Sequence, residues 1–143
     1  MSFVLPPIVR LAERLLVDIE HAVRRFARFH KYTFGSDLRA QAMKVAQLAH
    51  RAWRDRMRQA EWLSKLVWAV DDLKLSLQLG SRIHAFASFG QFEQLARVAS
   101  DLGRQTGGWH KQLHPKGQNG QHRTADQRAQ ILSSPATSAE VKP

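Results

Sequence analysis

The chain has 143 residues, with 22 Lys and Arg against 12 Asp and Glu and a formal net charge of +10. That length allows one domain able to bury a real core, so no disulfide or metal staple is required to hold it. With no cysteine, a disulfide framework, thiolate metal sites and a cysteine nucleophile are excluded, and the absence fits a reducing compartment.

Residues 1–7 are too short, and lack the basic and apolar blocks, to act as a signal peptide. Pro6 and Pro7 open a first helix, proline being tolerated at the first helical position. From about residue 7 to 29, Leu11, Leu15, Ile19, Ala22, Phe26 and Phe29 recur at helical spacings. His30–Gly35 breaks the pattern, and Gly35-Ser36-Asp37 offers a turn and cap. A second helix then runs over about 36–58 on Leu38, Ala42, Val45, Ala49 and Ala52.

A third helix spans about 61–84. Within it, the stretch from Asp72 to Leu79 alternates like a half-buried strand. Leucine is nevertheless a good helix former, and nothing in that stretch is β-branched. At about 100° per residue, Leu63, Leu66, Val70, Leu73 and Leu77 share one face. Trp68, Leu75 and Leu79 share a nearly opposite one, and a helix with two apolar faces must bury both. One faces the bundle core; the other calls for a partner, most simply a second copy of the chain. Ser88 and Gln91 have capping-box spacing and open a fourth helix over about 88–109, ending near Gly107-Gly108. The remaining tail, 113–143, is rich in Gly, Gln, Ser, Thr and Pro, and is expected to be disordered. The fold expected is all-α: an antiparallel up-and-down four-helix bundle over 1–112. The most apolar stretch, Trp62–Val70, is interrupted by Lys65 and falls short of the ~20 residues that cross a bilayer. A soluble, cytoplasmic protein without a membrane partner is expected.

Charge is unevenly distributed. Residues 1–58 carry twelve Lys and Arg against five Asp and Glu, whereas 59–112 carry six against five. On a helical wheel Arg10, Arg14, His21, Arg24, Arg25 and Arg28 fall opposite the apolar face of the first helix; Lys44, Arg51, Arg54 and Arg58 cluster on the second. Few acids interleave them, Asp18 and Asp55 being the main ones. Arginine predominates, and its planar fork suits phosphate. Binding of nucleic acid through phosphates, without base readout, is the favoured reading. A solvated charged face is the plain alternative. Trp53 and Trp62 lie beside Arg51, Arg54 and Arg58, but tryptophan at helical spacing reads first as packing.

Other constellations carry little chemistry. Asp71 and Asp72 point about 100° apart on a helix, so they make no paired-carboxylate site. His110 and His114 have the spacing of a metal pair but no evident third ligand. Neither a phosphate-binding loop nor a defensible nucleophile–base pair is present. No enzyme, metal or cofactor is expected.

Two local motifs do point to a family. Phe29-His30-Lys31-Tyr32-Thr33-Phe34-Gly35 leads into the second helix, and Gly103-Arg104-Gln105-Thr106-Gly107-Gly108-Trp109-His110-Lys111 closes the fourth. Both resemble the accessory variability determinant (Avd) of diversity-generating retroelements, as does the run Val70-Asp71-Asp72-Leu73-Lys74-Leu75. The resemblance covers about residues 5–112. The related ribosomal intervening-sequence four-helix proteins usually carry an Asn-Ile-Ala-Glu-Gly signature that this chain lacks. His30, Phe34 and Gln78 depart from the common pattern of a proline, a leucine and a basic residue.

The resemblance implies a homopentameric barrel of four-helix protomers that binds a reverse transcriptase and template RNA or cDNA while contributing no catalytic residue. On this reading Lys74 and Arg82 of the third helix join the arginines of the first two in binding nucleic acid. Gly35 is expected to supply a turn conformation, Tyr32 to anchor the loop, and Gly107-Gly108 to end the fourth helix so that Trp109 folds back. The competing expectation is a structural or protein-interaction bundle with no nucleic-acid function.

Overall fold

The computed structural model describes residues 5–113; of the expected polar tail, only Leu113 lies within them. The elements are α1 (Pro7–Arg24), α2 (Arg28–Lys31), α3 (Phe34–Arg54), a single 3-10 turn (Arg56–Arg58), α4 (Gln59–Arg82) and α5 (Phe89–Gln112). The alternating stretch Asp72–Leu79 lies inside α4, so leucine's helical preference and its helical context prevail over its period-two pattern. α3 packs against α1 and α4, α4 against α5, and α5 closes the ring against α1. Neighbours in the ring are neighbours in the chain, joined by short connections, which makes the four long helices antiparallel.

Hydrophobic periodicity places the core. Val9, Ala12, Leu15, Ile19, Ala22 and Val23 turn inward from α1, and Leu38, Ala42, Val45, Ala49 and Ala52 from α3. Leu63, Leu66, Val70, Leu73 and Leu77 do so from α4, and Leu95, Ala99 and Leu102 from α5. Each buried leucine contributes roughly 1.5–3 kcal/mol. Buried Thr106 donates its hydroxyl to the Leu102 carbonyl at 2.7 Å, so its polar atom is satisfied within the helix.

Helix ends depart from the sequence reading in instructive ways. The first helix stops at Arg24 rather than 29; Ala27 adopts an extended conformation before the four residues of α2. Phe29 is therefore not on the buried face: it is exposed. The second helix begins at Phe34 and ends at Arg54, with Arg58 closing the 3-10 turn. Gly35 lies inside α3; among the described residues no glycine has a positive φ, and the one residue that does is His84, between α4 and α5. The role of Gly35 is close approach instead, because a Cβ there would lie 2.7 Å from Val23 Cγ1 of α1. Gly107 and Gly108 do not end the last helix, which continues to Gln112, and Trp109 packs against the core from within it. Ser88 does cap α5, its hydroxyl accepting from the Gln91 N–H at 3.1 Å, while Gln91 Oε1 accepts from the Ala87 N–H.

The aromatic residues segregate by end. Phe26, Phe34, Phe86 and Phe92 pack where α1 and α4 finish and α3 and α5 begin. Trp53, Trp62 and Trp109 pack against the core at the opposite end, near the finish of α3 and α5 and the start of α4.

Candidate nucleic-acid interface

The basic residues of α1 and α3 face solvent because the same periodicity that buries their apolar neighbours turns them outward. Arg10, Arg14 and Arg24 on α1, Arg25 just beyond it, and Arg28 on α2 are all exposed, as are Lys44, Arg51 and Arg54 on α3 and Arg58 after it. These groups do not form one stripe. Antiparallel packing brings the start of α1 beside the end of α3, fixed by Glu13 Oε2 and His50 Nε2 at 2.6 Å. Arg10, Arg14, Arg51, Arg54 and Arg58 thus lie toward the tryptophan end. Arg24 lies about 21 Å from Arg10 along the axis of α1, as fourteen residues at 1.5 Å each require, and Arg25 and Arg28 follow it past the end of that helix. Arg82, exposed at the end of α4, shares the phenylalanine end. Lys74 is half-buried, its Nζ near the backbone of Gly103 on α5, away from both groups.

At the tryptophan end the cations are folded inward onto an indole. The Arg51 and Arg58 guanidinium carbons sit 5.1 and 5.8 Å from the centre of the Trp62 ring, and Lys65 Nζ sits at 5.0 Å. Asp55, one of the few acids interleaved with the basic faces, pins the turn between α3 and α4. Its Oδ2 accepts from the Trp62 Nε1–H at 2.9 Å and its Oδ1 from the Arg58 N–H at 3.3 Å. The indole N–H beside it, foremost, and then the Arg58 amide and charge hold its carboxyl below the ordinary 3.8. Gln59 closes the turn by donating to the Ala52 carbonyl at 2.7 Å. Around this pin a shallow pocket of about 490 Å³ is lined by His50, Arg51, Arg54, Asp55 and Trp62.

Ion pairs occupy part of the basic surface, through Asp18, already evident on the first helix, and through Glu20 and Glu61, which helical projection does not bring forward. Glu20 takes both Arg24 on its own helix, at 3.5 Å, and Arg39 across on α3, at 2.8 Å. Arg14 meets Asp18 at 3.5 Å and Arg58 meets Glu61 at 3.2 Å. Such exposed pairs are worth about 1 kcal/mol or less and yield readily to phosphate. Among the described residues, Arg10, Arg25, Arg28, Arg51 and Arg54 of this set stand in no ion pair.

The connection between α1 and α3 holds what helical periodicity does not show. Phe29 and Tyr32 are 80% and 70% exposed, beside exposed Arg25 and Arg28 and half-buried Lys31. Tyr32 is therefore not a loop anchor. The signal available in the sequence is the acid-free interval between Glu20 and Asp37, which holds Arg24, Arg25, Arg28 and Lys31.

On the second apolar face of α4, Trp68, Leu75 and Leu79 are 52%, 42% and 46% exposed. Among the described residues no group of three His, Asp or Glu is placed to hold a metal ion, and no helix is long and apolar enough to cross a membrane. His114, half of the histidine pair at the end of α5, lies outside the described residues. No protein-family model, curated protein or solved structure matches the chain.

Proposed function

We propose that this protein is a non-catalytic accessory subunit that holds RNA or DNA by its phosphates beside a reverse transcriptase, in the manner of the accessory proteins of diversity-generating retroelements. The observation that carries the nucleic-acid part is the set of exposed guanidinium groups on α1, α2 and α3 and just beyond α1, five of them outside any ion pair with a described carboxylate. A rigid helical scaffold presenting arginine without neutralising acid is a footprint for polyanions. The link to a reverse transcriptase rests on the motifs from Phe29 to Gly35 and from Gly103 to Lys111, and the expectation of a cytoplasmic protein on the lack of cysteine.

Self-association belongs to the same reading. Trp68, Leu75 and Leu79 form a stripe that a second copy of the chain would cover, and a pentamer of chains at +10 each would total about fifty charges in one field. Light scattering on the Trp68→Ser, Leu75→Ser, Leu79→Ser variant should report a smaller species than the parent. A parent that is already monomeric rules this assembly out.

A salt titration tests the central claim. On duplex DNA, log affinity should fall with log salt by about 0.9 for each phosphate neutralised. The ion pairs of Arg14, Arg24 and Arg58 favour a second reading, in which the charge only solvates the bundle. That reading requires no measurable binding even at low salt. Co-purification with a reverse transcriptase encoded beside this chain tests the partner.

A further inference from the structure

The connection between α1 and α3 divides its aromatic residues into two kinds. Phe26 is buried and Phe34 half-buried; their rings stack at 6.2 Å, and Phe26 meets Phe86 edge-on at 5.3 Å. Phe29 and Tyr32, from the same short segment, turn outward into solvent. A single exposed aromatic ring is ordinary on a protein surface. Here there are two, and each follows directly on a basic residue: Arg28 before Phe29, Lys31 before Tyr32, with Arg25 shortly before them in the chain.

The backbone beneath the rings is fixed. Thr33 donates its hydroxyl to the Phe29 carbonyl at 3.2 Å, and α3 lies so close to α1 that Gly35 leaves no room for a side chain. A partner would therefore meet a backbone already folded beneath the rings, without the cost of ordering a loop.

We propose that Phe29 and Tyr32 form a stacking platform for unpaired bases of single-stranded nucleic acid, with Arg25, Arg28 and Lys31 holding the flanking phosphates. This deepens the phosphate-binding function proposed above and rests on it. A single strand offers flat π faces alternating with anionic phosphates, which matches the alternation of rings and cations here. A duplex buries its base faces in the stack. An acidic peptide would satisfy the cations but need present no flat face, and a second copy of this patch would bring like charges together.

The test uses the full chain and three labelled probes of equal length: oligothymidylate, an abasic strand and a duplex. The parent should bind oligothymidylate more tightly than the abasic strand. Phe29→Ala with Tyr32→Ala should weaken oligothymidylate binding by about fivefold or more per ring. The same variant should leave abasic-strand affinity and the salt slope unchanged, and Tyr32→Phe should retain stacking. Photo-crosslinking to a 5-iodouracil strand should map to Phe29 or Tyr32. Equal losses on the abasic strand, crosslinks confined elsewhere, or a smaller particle in light scattering, as a contact between copies would give, each overturn the platform. If the parent binds with a steep salt slope and the double variant matches it, the platform alone falls. If the parent binds none of the probes, the phosphate-binding function falls as well.

Discussion

The two ends of the bundle contain the same ingredients, arginine beside aromatic rings, in opposite arrangements. At the tryptophan end the ring is the centre: Arg51, Arg58 and Lys65 gather over Trp62, whose N–H is already committed to Asp55. At the phenylalanine end the rings of Phe29 and Tyr32 point away from the protein, and Arg25 and Arg28 stand clear of any described carboxylate. A cation resting on an indole has part of its electrostatic need met internally, so it has less to gain from phosphate. Composition alone would rate the two ends alike. Only the destination of each side chain separates a cluster folded onto its own scaffold from one exposed to solvent.

Charge reversal is the most direct way to break this contrast. Arg24→Glu, Arg25→Glu and Arg28→Glu together should lower nucleic-acid affinity by about a hundredfold or more at low salt, with circular dichroism and assembly unchanged. The matching reversal at Arg51, Arg54 and Arg58 should lower it less, by about tenfold, because two of those cations already rest on Trp62. Equal effects at the two ends, measured by fluorescence anisotropy, would erase the distinction.

A smaller effect examines the scaffold of the phenylalanine end. Gly35→Val forces a side chain into a space where even a Cβ meets Val23 at 2.7 Å, and should cost about 2 kcal/mol in a denaturant melt. Gly108→Ala is the control: nothing lies within 4 Å of a Cβ there, so stability should hold or rise slightly.

The smallest effect sharpens the tryptophan end. Because the folded-state pKa of Asp55 is depressed, the stability it contributes is present above its ordinary 3.8 and is lost as pH falls through the lower folded value. Trp62→Phe removes the leading cause, so the Asp55 carboxyl, followed by NMR, should titrate closer to 3.8.

Much of this architecture is legible in the sequence. Spacing places every core leucine of α4, and the Ser88–Gln91 pair marks the start of α5. Helical projection fails where the helix itself stops. Arg25 and Arg28 align with Arg10 and Arg14 only if α1 runs on to Phe29, and its end at Arg24 removes that premise while turning Phe29 outward. Periodicity is also blind to pairings across helices, such as Arg39 with Glu20 or His50 with Glu13, since these depend on which helices become neighbours. Gly35 shows the same blindness, because a glycine required for contact and one required for a turn look identical in a sequence.

Gly80 joins the two connections at the phenylalanine end. A Cβ on this α4 residue would lie 2.7 Å from the ring of Phe34, which begins α3, and 2.8 Å from that of Phe86, which precedes α5. Phe86 in turn packs on Phe26 at 5.3 Å and on Phe92 at 5.8 Å. Segments far apart in the chain thus share one ring-lined seam and should open together, as one cooperative unit in hydrogen exchange. The exposed rings between α1 and α3 are consequently not a transplantable loop. A chain cut before α5 would lose Phe92 from the seam that packs Phe26 and Phe34, the residues flanking that connection.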